Sequence, residues 1–347
     1  MTTPTLPAPA APDSPGPASP AGRAPGPAPA PASRLRRTLR VLAVLGTLPY
    51  IALKVAWTAG STIGIPEGSV LLDHPAMMAV VNGISVLADA VVVLLALLLT
   101  RPWGLRVRAW LLAFPVWAAI GLLAPIMVAY PAQVAVALLG GPGSASAGPP
   151  DEPFLDAWVF PVVYGGFIVQ GLSLGILFVL YARDRWGHVW RGRLGELPTA
   201  VSGPVLRACA VAGAVLALAP AALHILWACG TARGLSPELT GAYDADRAVV
   251  DAVRAVFLLV AAVATPALVL RRPARRAVRT TMALAWVSSG ATGCWGAYMS
   301  LVALLPLADP GKEPTDLMTA TYAGEMITGF LLAGCLAVVL NRRSRTA

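Results

Sequence analysis

The chain has 347 residues, 57% hydrophobic and 12% charged, with a mean hydropathy of +0.70, a balance that excludes a water-soluble domain. A formal net charge of +9 would suit a polyanion. The basic residues, however, stand in short clusters between apolar runs, with no basic face interleaved with aromatics, so a nucleic-acid partner is excluded and the clusters read as topology signals.

Residues 1–33 hold eleven prolines and almost no large apolar side chain. Such a segment cannot bury enough surface to offset its conformational entropy, and a disordered tail is expected. It lacks the apolar core of a secretory signal, so insertion is expected to begin at the first span. Eight apolar segments follow, at about 41–60, 79–100, 109–131, 157–182, 208–229, 248–270, 281–306 and 320–340. Each is near the ~20 residues that cross ~30 Å of hydrocarbon. The expected fold is all-α: an eight-span transmembrane helical bundle in contact with the lipid bilayer.

Charge supports that count. Arginines cluster at 34–40, 101–108, 183–207, 271–279 and 342–345, while the alternate loops hold only Arg233, Arg247 and Lys312 but most of the acids, among them Glu67, Asp151, Asp244 and Glu313. The positive-inside rule then puts both termini in the cytoplasm. Only Lys54 and Lys312 among 26 basic residues are lysine, and Ala, Gly, Pro and Arg dominate. That composition suggests a GC-rich bacterial genome, and hence a bacterial plasma membrane. In the 183–206 loop, Trp186 and Trp190 lie one turn apart among arginines, fitting either a short helix at the headgroups or a plain connection. The Gly/Pro/Ser-rich loop 140–156 is expected to be mobile.

The first and fifth spans share a pattern. Leu53-Lys54-x-x-Trp57-x-x-Gly60-x-x-x-Gly64 matches Leu223-His224-x-x-Trp227-x-x-Gly230-x-x-x-Gly234, with Pro66-Glu67 and Pro237-Glu238 close behind. The second and sixth spans end at Arg101-Pro102 and Arg272-Pro273, and the fourth and eighth open with Tyr164-Gly165 and Tyr322-Ala323-Gly324. Two parallel four-span repeats are implied, related about an axis along the membrane normal. The organisation read from this is a tail (1–33), a first repeat (34–182), a cytoplasmic linker (183–207) and a second repeat (208–347) with a short basic C-terminal tail. The segment Pro49-Tyr50-x-x-Leu53-Lys54-x-x-Trp57-x-x-Gly60 resembles a pattern found in uncharacterised multi-pass membrane proteins of actinobacteria. The resemblance implies a membrane location and carries no activity.

Charge at membrane depth costs ~2.5–3.5 kcal/mol per group on insertion scales and marks candidate functional positions. Lys54 and Asp89 are too deep in their spans to be moved out by shifting a boundary, and their expected relation is an ion pair. His224 stands at the depth of Lys54, Asp251 and Arg254 share a face of the sixth span, and Glu325 lies about a turn and a half into the eighth. One reading is an outward-facing polar cavity lined by Lys54, Asp89, His224, Asp251, Arg254 and Glu325 and flanked by Trp57 and Trp227. The other is a set of separate ion pairs that hold helices together. Glycines at four-residue spacing, and the Gly290, Gly293, Gly296 series, suit close helix packing, while Pro115, Pro125, Pro161 and Pro266 predict kinks.

Cys209, Cys229, Cys294 and Cys335 form no CxxC pair and have no second ligand nearby, so they read as packing residues and no metal or cofactor is expected. His74, His188 and His224 are dispersed, and no GxSxG, HExxH or Walker motif occurs, which leaves an enzyme poorly supported. Two classes remain: a scaffold or regulatory membrane subunit working through another membrane protein, and a secondary transporter or small-solute-binding protein.

Overall fold

The computed structural model describes residues 31–67, 69, 75–139, 155–241, 244–304 and 313–346. The expected disordered tail, apart from its last three residues, and nearly all of the expected mobile loop lie outside the described residues. Among those residues the secondary structure is helical: α1 (Pro31–Thr58), α2 (Pro75–Thr100), α3 (Ala109–Leu138), α4 (Val159–Trp186), α5 (Pro204–Leu216), α6 (Leu218–Ala228), α7 (Pro237–Gly241), α8 (Ala245–Leu270), α9 (Val278–Ala303) and α10 (Asp316–Thr346).

Seven helices are long and apolar enough to cross a membrane, at 34–58, 82–100, 109–138, 159–186, 204–228, 245–270 and 316–345. This is an integral membrane protein by that measure. The fifth of these joins α5 to α6. Pro220 supplies no amide proton to Leu216 O, and the helix is interrupted at Ala217, but bonds from Ala217 N to Gly213 O and from Ala221 N to Ala217 O, both 3.1 Å, carry it through. Large apolar side chains such as Leu45, Leu87, Leu94, Val179 and Val263 are exposed on the helices, as a lipid-facing surface requires.

The helix at the expected seventh span, α9, has 26 residues, enough for ~39 Å, yet it is not apolar enough to rank with the other seven. Its composition follows from its position. Ser288, Ser289, Gly290, Thr292, Gly293 and Gly296 are buried against protein, so small residues that admit close backbone approach take the place of the bulky apolar groups that lipid would favour. A Cβ on Gly329 would collide with the Gly293 backbone, and one on Gly121 with that of Gly290. Along α9 the partners on α3 advance from Trp117 to Leu122, while those on α10 recede from Gly329 to Tyr322. Thus α9 runs parallel to α3 and antiparallel to α10, through the thickness of the bundle.

One end of the bundle gathers the arginines. Arg36 pairs with Asp184, Arg40 donates to Thr100 Oγ1 at 3.3 Å, Arg185 donates to Val107 O at 2.8 Å and Arg271 to Leu197 O at 2.8 Å. The connection after α4 is a plain loop with two short 3-10 turns, at 194–196 and 199–201. Its tryptophans face protein: Trp186 packs against the core clusters of both halves and Trp190 against the second. At the opposite end Asp156 N donates to Gly64 O at 2.9 Å and Thr315 Oγ1 to Gly234 O at 2.5 Å. Of the four prolines expected to kink spans, Pro161 falls in the first turn of α4, where a missing amide proton costs nothing. Pro115, Pro125 and Pro266 are interior.

Candidate functional site

The shared sequence pattern builds the same local structure twice. In each copy the helix ends on a pair of left-handed glycines, Gly60 (φ 90°) and Gly64 (φ 76°) in one, Gly230 (φ 88°) and Gly234 (φ 78°) in the other. These are conformations that a side chain would strain. The tryptophan at the last turn folds its indole over the turn: Trp57 Nε1 donates to Ile63 O at 2.7 Å and Trp227 Nε1 to Arg233 O at 3.0 Å. Backbone bonds also match, with Ser61 N to Ala56 O at 2.9 Å answering Thr231 N to Leu226 O at 3.0 Å. The glycine that closes each motif faces the start of the partner helix, Gly64 against Val159 of α4 and Gly234 against Leu317 of α10.

From these two frames hang two different polar groups. In the second half α6, α8 and α10 bring four ionisable side chains together. His224, fully buried, has Nδ1 at 2.7 Å from Asp251 Oδ1 and Nε2 at 2.9 Å from Glu325 Oε1, within ion-pair reach although poorly angled for a hydrogen bond. The other oxygen of Glu325 accepts from Arg254, whose guanidinium also stands 5.3 Å from the centre of the Tyr322 ring. Trp227 meets the imidazole edge-on at 5.1 Å.

That geometry constrains protons. A neutral imidazole has one N–H and one lone pair, so it cannot face carboxylate oxygens with both nitrogens without lone-pair repulsion. One more proton, on the ring or on a facing carboxylate, removes that repulsion, and with it on the ring the four groups sum to zero: two cations, His224 and Arg254, and two anions, Asp251 and Glu325. Against the Arg254–Glu325 pair lies a cavity of about 10 Å³ bounded by Pro125, Phe257, Ala291, Thr292 and Trp295, room for about one water molecule. Arg254 Nε and Thr292 Oγ1 are buried without a hydrogen-bond partner. The cavity sits on the seam where α3 of the first half meets α8, α9 and α10.

In the first half, no ion pair within 4.0 Å joins Lys54 to Asp89 among the described residues. The Lys54 ammonium lies 5.0 Å from the Tyr50 ring centre and 4.9 Å from that of Trp57, where two aromatic faces substitute for a carboxylate. Asp89 is buried and accepts from Gln170 Nε2 at 3.3 Å, leaving Oδ2 unpartnered. The eight residues singled out from the sequence therefore form two groups, Lys54, Trp57 and Asp89 in one half and His224, Trp227, Asp251, Arg254 and Glu325 in the other.

Gln170 and Thr292 escaped sequence reasoning. Gln170 was legible in principle as a lone amide in an apolar span. Thr292 carried no signal, because a threonine in a Gly/Ser/Thr helix is unexceptional until α10 and α8 are folded against it. The chain matches no protein-family model, no curated protein and no solved structure.

Proposed function

We propose that this chain is an eight-span bacterial plasma-membrane protein, with both termini cytoplasmic, built from two parallel four-helix repeats. Its role on this reading is that of a proton-responsive regulatory or scaffold subunit. The observation that carries the reading is His224 held between Asp251 and Glu325, with Arg254 closing the set, at the heart of the second half. Intramembrane charge is expensive to keep, and a closed, neutral set of four spread over three helices is a fastening that depends on one proton. Loss of that proton sets a neutral ring against two carboxylates, while protonation of the carboxylates removes the anions that hold His224 and Arg254. Either event loosens α10 from α6 and α8, a change that a partner in the membrane can sense.

The duplicated Trp-Gly-Gly turn supports the repeat, and the passage of α9 between the two ends supports the eighth crossing. The segregation of arginines to one end of the bundle supports the cytoplasmic termini. The test of the fastening is the distance between spin labels at the acid-rich ends of α6 and α10, measured in nanodiscs across pH. A distance that changes with pH in the native protein, and whose change on the alkaline side is lost in His224→Gln, is expected. A native distance that never moves overturns the reading.

A second reading, a proton-coupled secondary transporter, is favoured by the small cavity that touches Glu325 and Arg254 on the seam between the halves, where transporters of repeated architecture place their sites. It predicts solute-driven proton movement in dye-loaded proteoliposomes, abolished by Glu325→Gln.

A further inference from the structure

A second concavity lies far from the charge cluster, at the arginine-rich end of α8. It measures about 620 Å³ and is shallow, open over most of its boundary. Its body is the outward apolar face of the last turns of the helix, Val263, Pro266, Ala267 and Leu270, and its lip is the connection to α9, with Arg272 and Arg276. We propose that this groove binds one anionic phospholipid from the arginine-side leaflet, with the phosphate between Arg272 and Arg276 and an acyl chain along the apolar wall.

Three observations point to that occupant. Depth is the first: the wall belongs to a membrane-crossing helix and the arginines begin two residues past its last turn, so apolar and cationic parts are stacked as tail and headgroup are stacked in a lipid. The second is that both guanidinia are uncommitted. Several arginines at this end are latched to protein, Arg36 to Asp184, Arg185 to Val107 O and Arg271 to Leu197 O, whereas no carboxylate lies within 4.0 Å of Arg272 or Arg276 among the described residues. The third is rigidity. Leu194 N donates to Arg276 O at 2.9 Å and Gly195 N to Ala274 O at 3.0 Å, which clamps the connection against the loop after α4 and presents the two side chains from a fixed backbone. In the first half the connection after α2 packs against protein, since Tyr181 donates to Gly104 O at 3.0 Å and Gly104 sits tightly on Leu98.

The test uses the full-length protein in detergent, titrated with phosphatidylglycerol or phosphatidylcholine, with bound lipid counted by native mass spectrometry. Two basic groups at a headgroup imply a preference for the anionic lipid on the order of 30-fold. That preference is expected to vanish in Arg272→Gln/Arg276→Gln and to persist in Arg275→Gln, which removes an arginine outside the groove. Ala267→Trp, which fills the apolar wall without touching charge, is expected to weaken both lipids, and it decides the matter should the double variant fail to fold. Equal binding of the two lipids to the native protein, equal loss in Arg275→Gln, undiminished binding in Ala267→Trp, or displacement of the lipid by an equal concentration of inorganic phosphate would each overturn the proposal.

Discussion

Replacing Glu325 by glutamine keeps the shape of the side chain and removes its charge, which isolates the electrostatic role of the cluster. Glu325 is 2% exposed, and its two oxygens serve separate cations, Arg254 through Oε2 and His224 through Oε1. One such contact at ~4 Å is worth ~4 kcal/mol at the effective dielectric of ~20 that suits most protein sites. The desolvation of Arg254 and His224 is already incurred in the fold and is not recovered when the carboxylate goes. Removing one partner of a buried pair costs ~3–5 kcal/mol, and because the amide oxygen still accepts a hydrogen bond, the lower end of that range is expected. Equilibrium unfolding in mixed micelles gives the number, and a cycle of Glu325→Gln, Arg254→Gln and the double variant gives the coupling. Both single changes should be costly and the double only slightly worse, with a coupling of ~1–3 kcal/mol. Additive losses, or a Glu325→Gln protein that unfolds within ~0.5 kcal/mol of the native one, would refute the reasoning.

The three histidines of the chain can be labelled with nitrogen-15, and His224 should show two protonated ring nitrogens at neutral pH; a neutral ring there would place the proton on a carboxylate and overturn the proposed fastening. Trp57→Phe and Trp227→Phe each remove one indole-to-carbonyl bond in the same setting, so similar losses of about 1 kcal/mol are expected, read from thermal melts, and a large difference between them counts against the shared frame. Gly329→Val drives a branched side chain into the Gly293 backbone and should cost at least ~1–3 kcal/mol, seen as a sharp drop in monodisperse yield by fluorescence-detected chromatography; a native-like profile would show that α9 and α10 are not in close approach. Topology reporters fused to either terminus should report the cytoplasm, and one inserted within 305–312 the opposite face. Termini on opposite faces would remove one crossing and end the eight-span reading.

Much of the architecture was legible because hydrocarbon imposes one-dimensional rules. Runs of apolar residues near the length of a bilayer placed the helices to within a few residues at most boundaries, and the alternation of arginine with acid gave the ends that the folded chain also segregates. The repeated Trp-Gly-Gly spacing announced a local turn that two distant segments do form, since left-handed glycines and an indole reaching six residues ahead are short-range matters. Legibility failed wherever a group's partner came from another helix. Lys54 and Asp89 were matched by depth alone, which cannot say that Tyr50, Trp57 and Gln170 stand closer. The polarity of α9, which placed it below the other spans as a membrane segment, follows from burial among α3, α8 and α10. The place of each charged residue along its helix was thus written in the chain, because helix extent follows from distance along it, while its partner was decided by rotation and packing of helices, which only the assembled bundle specifies.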